Sequence, residues 1–392
     1  MKALTERQLV FTLAALSAIT PLAIDMYLPA ISSMSKSLDV PESQVAISIS
    51  IFFLGLAAGQ LFGGPISDAY GRRPIVIIGL GMFCLSSIFI IFINDVYVLW
   101  ILRFIQAFGG GVATVNVAAT VRDIFSGNES ARVFSMIGSI TIIAPLVAPA
   151  LGLIVVSLFG SWEAIFVILS VYSLLALYFY SKCFKAANVT DKRKVTPIKN
   201  YIEILTTPKP MIIMIALVIS SSGLYAMLAS SSIIYMNYFG LSKLMFVVCF
   251  SMNVSMIVIT SKINAKFVKK FSALKLLKFG VKTQVLVAAV LMILHKSENA
   301  FIMVPLIALF TGMLGFIFGN AISIVLEYFP KTSASANAVI GVLQYSVGAA
   351  AGLLVSLFDD GTLFPLILMM ALSSFIGAVI LLAGTKHTKV LA

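Results

Sequence analysis

The chain has 392 residues, of which 60% are hydrophobic and only 11% charged, with a mean hydropathy of +1.07 and a net charge of +12. Soluble domains carry about 45–50% apolar and about 25% charged residues, so a soluble enzyme, a disordered chain and a coiled coil are all excluded. A bilayer-crossing helix needs about 20 apolar residues, and this length accommodates twelve of them with about 150 residues left for loops and ends.

The apolar runs predict spans at 8–31, 43–66, 75–94, 97–118, 133–158, 163–182, 211–236, 244–263, 276–294, 300–326, 335–357 and 362–384. In lipid the backbone must satisfy its own hydrogen bonds, so these are helices, and the expected fold is an all-α integral membrane protein. With the N-terminus inside, 23 of the 27 basic residues fall on the cytoplasmic side and three, Lys36, Lys243 and Lys296, outside; Arg103 lies within a span. That asymmetry predicts both termini in the cytoplasm. The positive charge therefore reflects membrane topology and not nucleic-acid binding. The first apolar run is too long for a cleavable signal peptide.

Span 1 carries Pro21-Leu22-Ala23-Ile24-Asp25-Met26-Tyr27-Leu28-Pro29. Asp25 is the one carboxylate well inside a predicted span, and burial against a nearby positive charge lets such a group take and release a proton. Between spans 2 and 3 the chain reads Gly63-Gly64-Pro65-Ile66-Ser67-Asp68-Ala69-Tyr70-Gly71-Arg72-Arg73-Pro74, a tight charged turn. Span 4 holds Arg103-Phe104-Ile105-Gln106-Ala107 followed by Gly109, Gly110 and Gly111. An arginine in a span costs about 2.5–3.5 kcal/mol on insertion scales and faces a wet cavity or a counter-charge. By residue counting, Asp25 and Arg103 sit at similar depth, about 9 Å from the outer ends of their spans, a level at which one aqueous cavity could hold both, while contact between them is not readable from sequence. Span 5 reads Ala144-Pro145-Leu146-Val147-Ala148-Pro149-Ala150-Leu151-Gly152, a pattern of prolines and small residues that bends a helix and permits close packing.

The longest break, 183–209, splits the spans six and six, giving an N-terminal half over 1–182, a cytoplasmic linker over 183–209 and a C-terminal half over 210–392. Within it, Pro197 to Leu205 can form a short surface helix with Ile198, Tyr201, Ile202 and Leu205 on one face, although a solvated linker is the favoured reading. Asn264 to Phe271, after span 8, repeats the charged turn without its Asp and Gly. Glycine ladders on span 2 (Gly55, Gly59, Gly63), span 10 (Gly312, Gly315, Gly319) and span 11 (Gly341, Gly348, Gly352) suit close helix approach. Cys84, Cys183 and Cys249 are odd in number and scattered, and His295 and His387 lie far apart, so neither a disulfide framework nor a metal site is expected.

The charged turn resembles the signature loop of major facilitator transporters, Gly-x-x-x-Asp-x-x-Gly-Arg-Arg, and implies a cytoplasmic latch built on Asp68, Gly71, Arg72 and Arg73. Arg103 and Gln106 resemble the family's span-4 motif Arg-x-x-Gln-Gly, with Ala107 in place of the glycine. Pro145, Pro149 and Gly152 resemble a variant of the antiporter motif, which is associated with exporters. Asp25 to Ala30, Val121-Arg122-Asp123-Ile124-Phe125, Ser161 to Phe166 and Leu326-Glu327-Tyr328-Phe329-Pro330 together resemble the bicyclomycin and chloramphenicol resistance branch of drug:proton antiporters. The resemblance implies a monomeric exporter in the bacterial inner membrane, working by alternating access on small apolar or amphipathic compounds. It implies no cofactor beyond the proton gradient. Asp25 and Arg103 are the expected proton-coupling pair. The candidate substrate-lining residues are Tyr27, Phe52, Gln106, Asn116, Tyr225, Met227 and Asn253. Export of a physiological metabolite, with drugs incidental, is the alternative. A membrane-embedded enzyme would need paired intramembrane carboxylates or an H-E-x-x-H run, and the sequence has neither.

Overall fold

A computed structural model describes residues 6–125, 127–183, 197–330 and 332–385. These residues form helices and no strand, and twelve helical stretches are long and apolar enough to cross a membrane. The chain divides into two compact units, Met1–Thr196 and Pro197–Ala392, each with six of those stretches.

Unit 1 contains α1 (Glu6–Asp25), a 3-10 turn (Leu28–Ala30), α2 (Ile31–Leu38), α3 (Glu42–Tyr70), α4 (Arg72–Ile90), α5 (Val96–Ile124), α6 (Gly127–Phe159) and α7 (Glu163–Cys183). The first span is broken. α1 stops at Asp25, and Pro29, which has no N–H to donate, sits inside the 3-10 turn that follows. α2 then carries the span to Leu38, where Asp39 ends it at a φ of 52°, so span 1 runs seven residues past its predicted end. Asp95 caps α5 by accepting from the Tyr97 and Val98 amides. Gly55, Gly59 and Gly63 line the face of α3 against α5, where an added Cβ would strike Phe104, Phe108 or Val112.

Unit 2 contains α8 (Pro197–Thr206), α9 (Pro208–Ser232) with a π-helical end (Ile233–Tyr238), α10 (Lys243–Phe267), α11 (Ala273–Ile293), α12 (Ala300–Gly312), α13 (Leu314–Tyr328), α14 (Ser333–Leu357) and α15 (Phe364–Gly384). Met214, Leu217, Leu314, Ile317 and Leu381 are among its fully packed core residues. α8 is not solvated linker: Ile204 is fully buried in that core with Tyr201 packed beside it, while Ile202 and Leu205 are exposed. The buried face of the helix is thus 201 and 204, not 201, 202 and 205, because α8 lies against α9 and α14. Of the predicted linker, residues 184–199, Ile198 among them, lie outside the described side chains.

The ladder on α12 and α13 holds in part. Gly312 and Gly315 abut Met256 and Thr260 of α10, and the Thr260 hydroxyl donates to the Gly312 carbonyl, but nothing approaches Gly319. The two units echo each other. Asn299 caps α12 as Asp95 caps α5, 204 residues earlier, and Asn320 stands 204 residues beyond Asn116. Paired repeats of this kind are common in transporter folds.

Candidate functional site

The break in span 1 assembles a polar cluster in unit 1. Arg103 on α5 is fully buried. Its Nη1 donates to the Ala23 carbonyl at 3.1 Å and to Gln106 Oε1 at 2.7 Å. Gln106 Nε2 in turn donates to Ser87 Oγ at 2.7 Å, and Ser87 donates to the Phe83 carbonyl. The guanidinium lies between two aromatic rings, its carbon 4.6 Å from the Tyr27 centroid and 4.2 Å from that of Phe52. The Tyr27 hydroxyl shares a hydrogen bond with Ser48 Oγ at 2.8 Å and donates to the Val45 carbonyl at 3.3 Å, which fixes the ring. A desolvated cation over an aromatic face gains about 2 kcal/mol, and a hydrogen bond to a charged group about 1.5–3 kcal/mol. Two ring faces and two acceptors together thus offset the cost of burying this arginine. Nε and Nη2 have no hydrogen-bond partner in the protein.

Asp25 is buried, with 5% of its surface exposed, but it does not pair with Arg103. Both ion pairs among the described residues belong to Arg72. Ala23 and Tyr27 are four residues apart and meet Arg103 on one side of span 1, whereas Asp25, two residues from each, is turned about 200° around the helix axis. α6 packs on α1 and on the 3-10 turn that follows it. Pro145 and Pro149 lie within α6, and Gly152 faces the Met26 backbone so closely that an added Cβ would overlap the Met26 carbonyl.

The latch residues form a second cluster. Gly71, at a φ of 93°, makes the turn between α3 and α4 that a side chain would strain. Arg72 Nη1 pairs with Asp68 at 3.0 Å, and its Nε pairs with Asp123 at the end of α5. Arg73 Nη2 donates to the Ser181 carbonyl of α7 at 3.0 Å. Asn116 belongs here and not with Arg103: its Oδ1 accepts from Arg72 at 3.4 Å. Asp123, quoted in the sequence for another reason, joins this ion-pair cluster, which the turn motif alone did not disclose.

In unit 2 the corresponding turn has no charged latch, and Asn320 Nδ2 donates to Asn264 Oδ1 at 2.7 Å instead. Asn253 is buried, donates to the Tyr235 hydroxyl at 2.9 Å and accepts from Thr311 at 3.2 Å. Tyr235 and Thr311 were not foreseen. Tyr225 packs edge-to-face on Tyr345 at 5.9 Å and over Gly348, and Met227 is buried nearby in sequence on α9.

The family description "Major Facilitator Superfamily" fits residues 13–353. A bicyclomycin resistance protein homolog of Haemophilus influenzae is 32% identical over 366 residues, 92% of each chain. An uncharacterised MFS-type transporter of Bacillus subtilis is 29% identical over 97% of this chain and 96% of its own. The multidrug resistance protein MdtL of Escherichia coli is 34% identical over 152 residues, 39% of each chain. Among solved structures, a D-xylose–proton symporter superposes with a TM-score of 0.76 at 13% identity, covering 95% of this chain and 97% of that one. A bacterial homolog of the human lysosomal transporter Spinster gives 0.76 at 11% identity over 97% of both.

Proposed function

This chain belongs to the major facilitator superfamily, and we propose that within it the protein is a proton-coupled exporter of small apolar or amphipathic compounds. Members of the family move solutes and are not enzymes. The names of the relatives, a bicyclomycin resistance homolog and a multidrug resistance protein, support drug efflux as the transported class. Bacterial inner membrane, cytoplasmic termini, a cytoplasmic linker over 183–209 and action as a monomer are part of the same reading.

The observation that carries proton coupling is Asp25, a buried carboxyl without an ion pair among the described residues, at the point where α1 ends. A coupled cycle needs a group that changes charge inside the membrane, and this one can do so without first breaking a salt bridge. Protonation from outside favours substrate release, and substrate arriving from inside favours proton release. Linkage makes the two effects equal in size on affinity. Substrate affinity therefore falls as the pH drops through the range in which Asp25 protonates. Arg103, with Tyr27, Phe52 and Gln106, holds the break in span 1 beside that carboxyl. The Asp68–Arg72–Asp123 cluster acts as the latch, and Pro145, Pro149 and Gly152 set the bend of α6. Asn116, Tyr225, Met227 and Asn253 are carried as substrate-lining candidates, Asn116 the weakest because of its bond to Arg72.

The test is uptake into inverted proteoliposomes under an imposed gradient of one pH unit, worth about 1.4 kcal/mol per proton, with bicyclomycin, chloramphenicol and a panel of amphipathic cations. Wild type should concentrate at least one of them about tenfold. Asp25→Asn should lose accumulation and retain downhill flux. Accumulation by the Asn variant equal to wild type would overturn the assignment of Asp25.

A further inference from the structure

A cavity of about 130 Å³ opens at the end of unit 2 where α9 and α11 begin and α13 and α15 finish. Lys209, Ser272, Glu327 and Thr385 are in its wall, over Ile213 and Ile324, which belong to the apolar core. Lys209 and Glu327 are both exposed at its rim, yet neither takes part in an ion pair, since both pairs among the described residues belong to Arg72. Two residues of opposite charge thus border one space without pairing with each other. Ser272 stands at the N-cap of α11 but its hydroxyl makes no capping bond, so the first amides of that helix are not capped there.

The wall excludes the simple occupants. A bare anion would suit Lys209 and the start of α11 but would meet the Glu327 carboxylate. A bare cation would suit Glu327 but would meet Lys209 and the positive end of a helix dipole. A group bearing a phosphate and a primary ammonium a few bonds apart satisfies both ends at once. The phosphate accepts from Lys209 and the α11 amides, and the ammonium donates to Glu327. The level of the cavity points to where such a group comes from. It lies where four spanning helices start or stop, which is the level of the lipid head groups, and the exposed Ile202 and Leu205 of α8 lie a few residues before Lys209. Its isoleucine floor suits the apolar side of a glycerolipid. We infer that this cavity is a binding site for the phosphoethanolamine head group of a phosphatidylethanolamine molecule. A quaternary choline head lacks the N–H donors that Glu327 would accept, and a phosphatidylglycerol head lacks the cation altogether.

The experiment is native mass spectrometry of the intact chain in detergent with equimolar phosphatidylethanolamine, phosphatidylcholine and phosphatidylglycerol, with the Tm recorded in parallel. Wild type should retain the ethanolamine lipid at least threefold over the other two. Glu327→Gln should erase its advantage over phosphatidylglycerol, and Lys209→Gln should lower retention of all three phospholipids. Both substitutions are at exposed positions, and an unchanged lipid-free Tm establishes that each variant is folded. Soluble phosphoethanolamine should displace the lipid. Equal retention of the three lipids by wild type, wild-type preference in both variants, or binding of soluble phosphoethanolamine without any preference among lipids would overturn the assignment. The readout involves no transport, so failure of the export reading leaves it standing, and the converse holds.

Discussion

At the scale of single residues, Arg103 shows how a membrane protein can bury a full charge without a carboxylate. Its partners are a carbonyl, an amide oxygen and two ring faces. Substitutions at the rings separate these contributions. Phe52→Leu keeps most of the apolar volume and removes one π face, so it should cost about 1–2 kcal/mol. Tyr27→Phe keeps the face and strands Ser48, costing about 1 kcal/mol. Arg103→Ala should exceed both, because it takes the guanidinium from Gln106 Oε1 and the Ala23 carbonyl and opens a hole. Thermal unfolding in detergent orders the three, and a Phe52→Leu variant as stable as wild type would mean that the ring only fills space. The sequence disclosed Arg103 and Gln106 through their spacing, and Asp25 through its rarity. It did not disclose what holds Arg103. Depth counted along two helices says nothing of rotation about them, and a backbone carbonyl or a phenylalanine face leaves no mark in an apolar run. Ser87 was missed for the same reason: a serine amid apolar residues reads as packing until its bond to Gln106 is seen.

At the scale of elements, the contact of α6 with the break in span 1 was half legible. The prolines and Gly152 announced close packing, but not that the glycine would admit the Met26 carbonyl one residue after Asp25. Gly152→Ala must displace one backbone from the other, at a cost of about 1–3 kcal/mol. Because the displaced segment adjoins Asp25, the pH dependence of substrate binding should shift along with the Tm. Gly138→Ala on the same helix is the internal control. Nothing lies within contact of a Cβ there, and alanine favours a helix over glycine by about 1 kcal/mol, so that variant should be as stable as wild type or slightly more so. Equal behaviour of the two variants would show that α6 does not bear on the break. The helix α8 makes the opposite point. Its sequence offered enough apolar residues for a helix, but which of them faced the core depended on α9 and α14, and the true face, Tyr201 and Ile204, emerges only with those neighbours in place.

At the scale of the whole molecule, the number and order of spans were legible from hydropathy alone, because a bilayer leaves the backbone few alternatives. What hydropathy misses are the helix ends. α5 runs to Ile124 where span 4 was expected to stop at 118, since Arg122 and Asp123 continue the helix beyond the apolar stretch. Topology is a separate question from span count, and here the two constrain each other. An even number of spans requires both termini on one side, and under the proposed topology the bias of Lys and Arg selects the cytoplasm. Lys36, Lys243 and Lys296 are the basic residues assigned to the outside, and all three side chains are exposed. A background with Cys84, Cys183 and Cys249 replaced by serine provides the test. Single cysteines at 36, 243 and 296 should react with a membrane-impermeant maleimide in intact cells. A cysteine at 192 should react only after permeabilisation. Losing or gaining one span anywhere between residues 36 and 296 would invert part of this pattern while leaving the rest intact, so the position of the first inconsistent label would identify the misread span. Strong labelling at 192 in intact cells would overturn the assignment of the inter-unit segment to the cytoplasm, and with it the direction assigned to proton entry at Asp25.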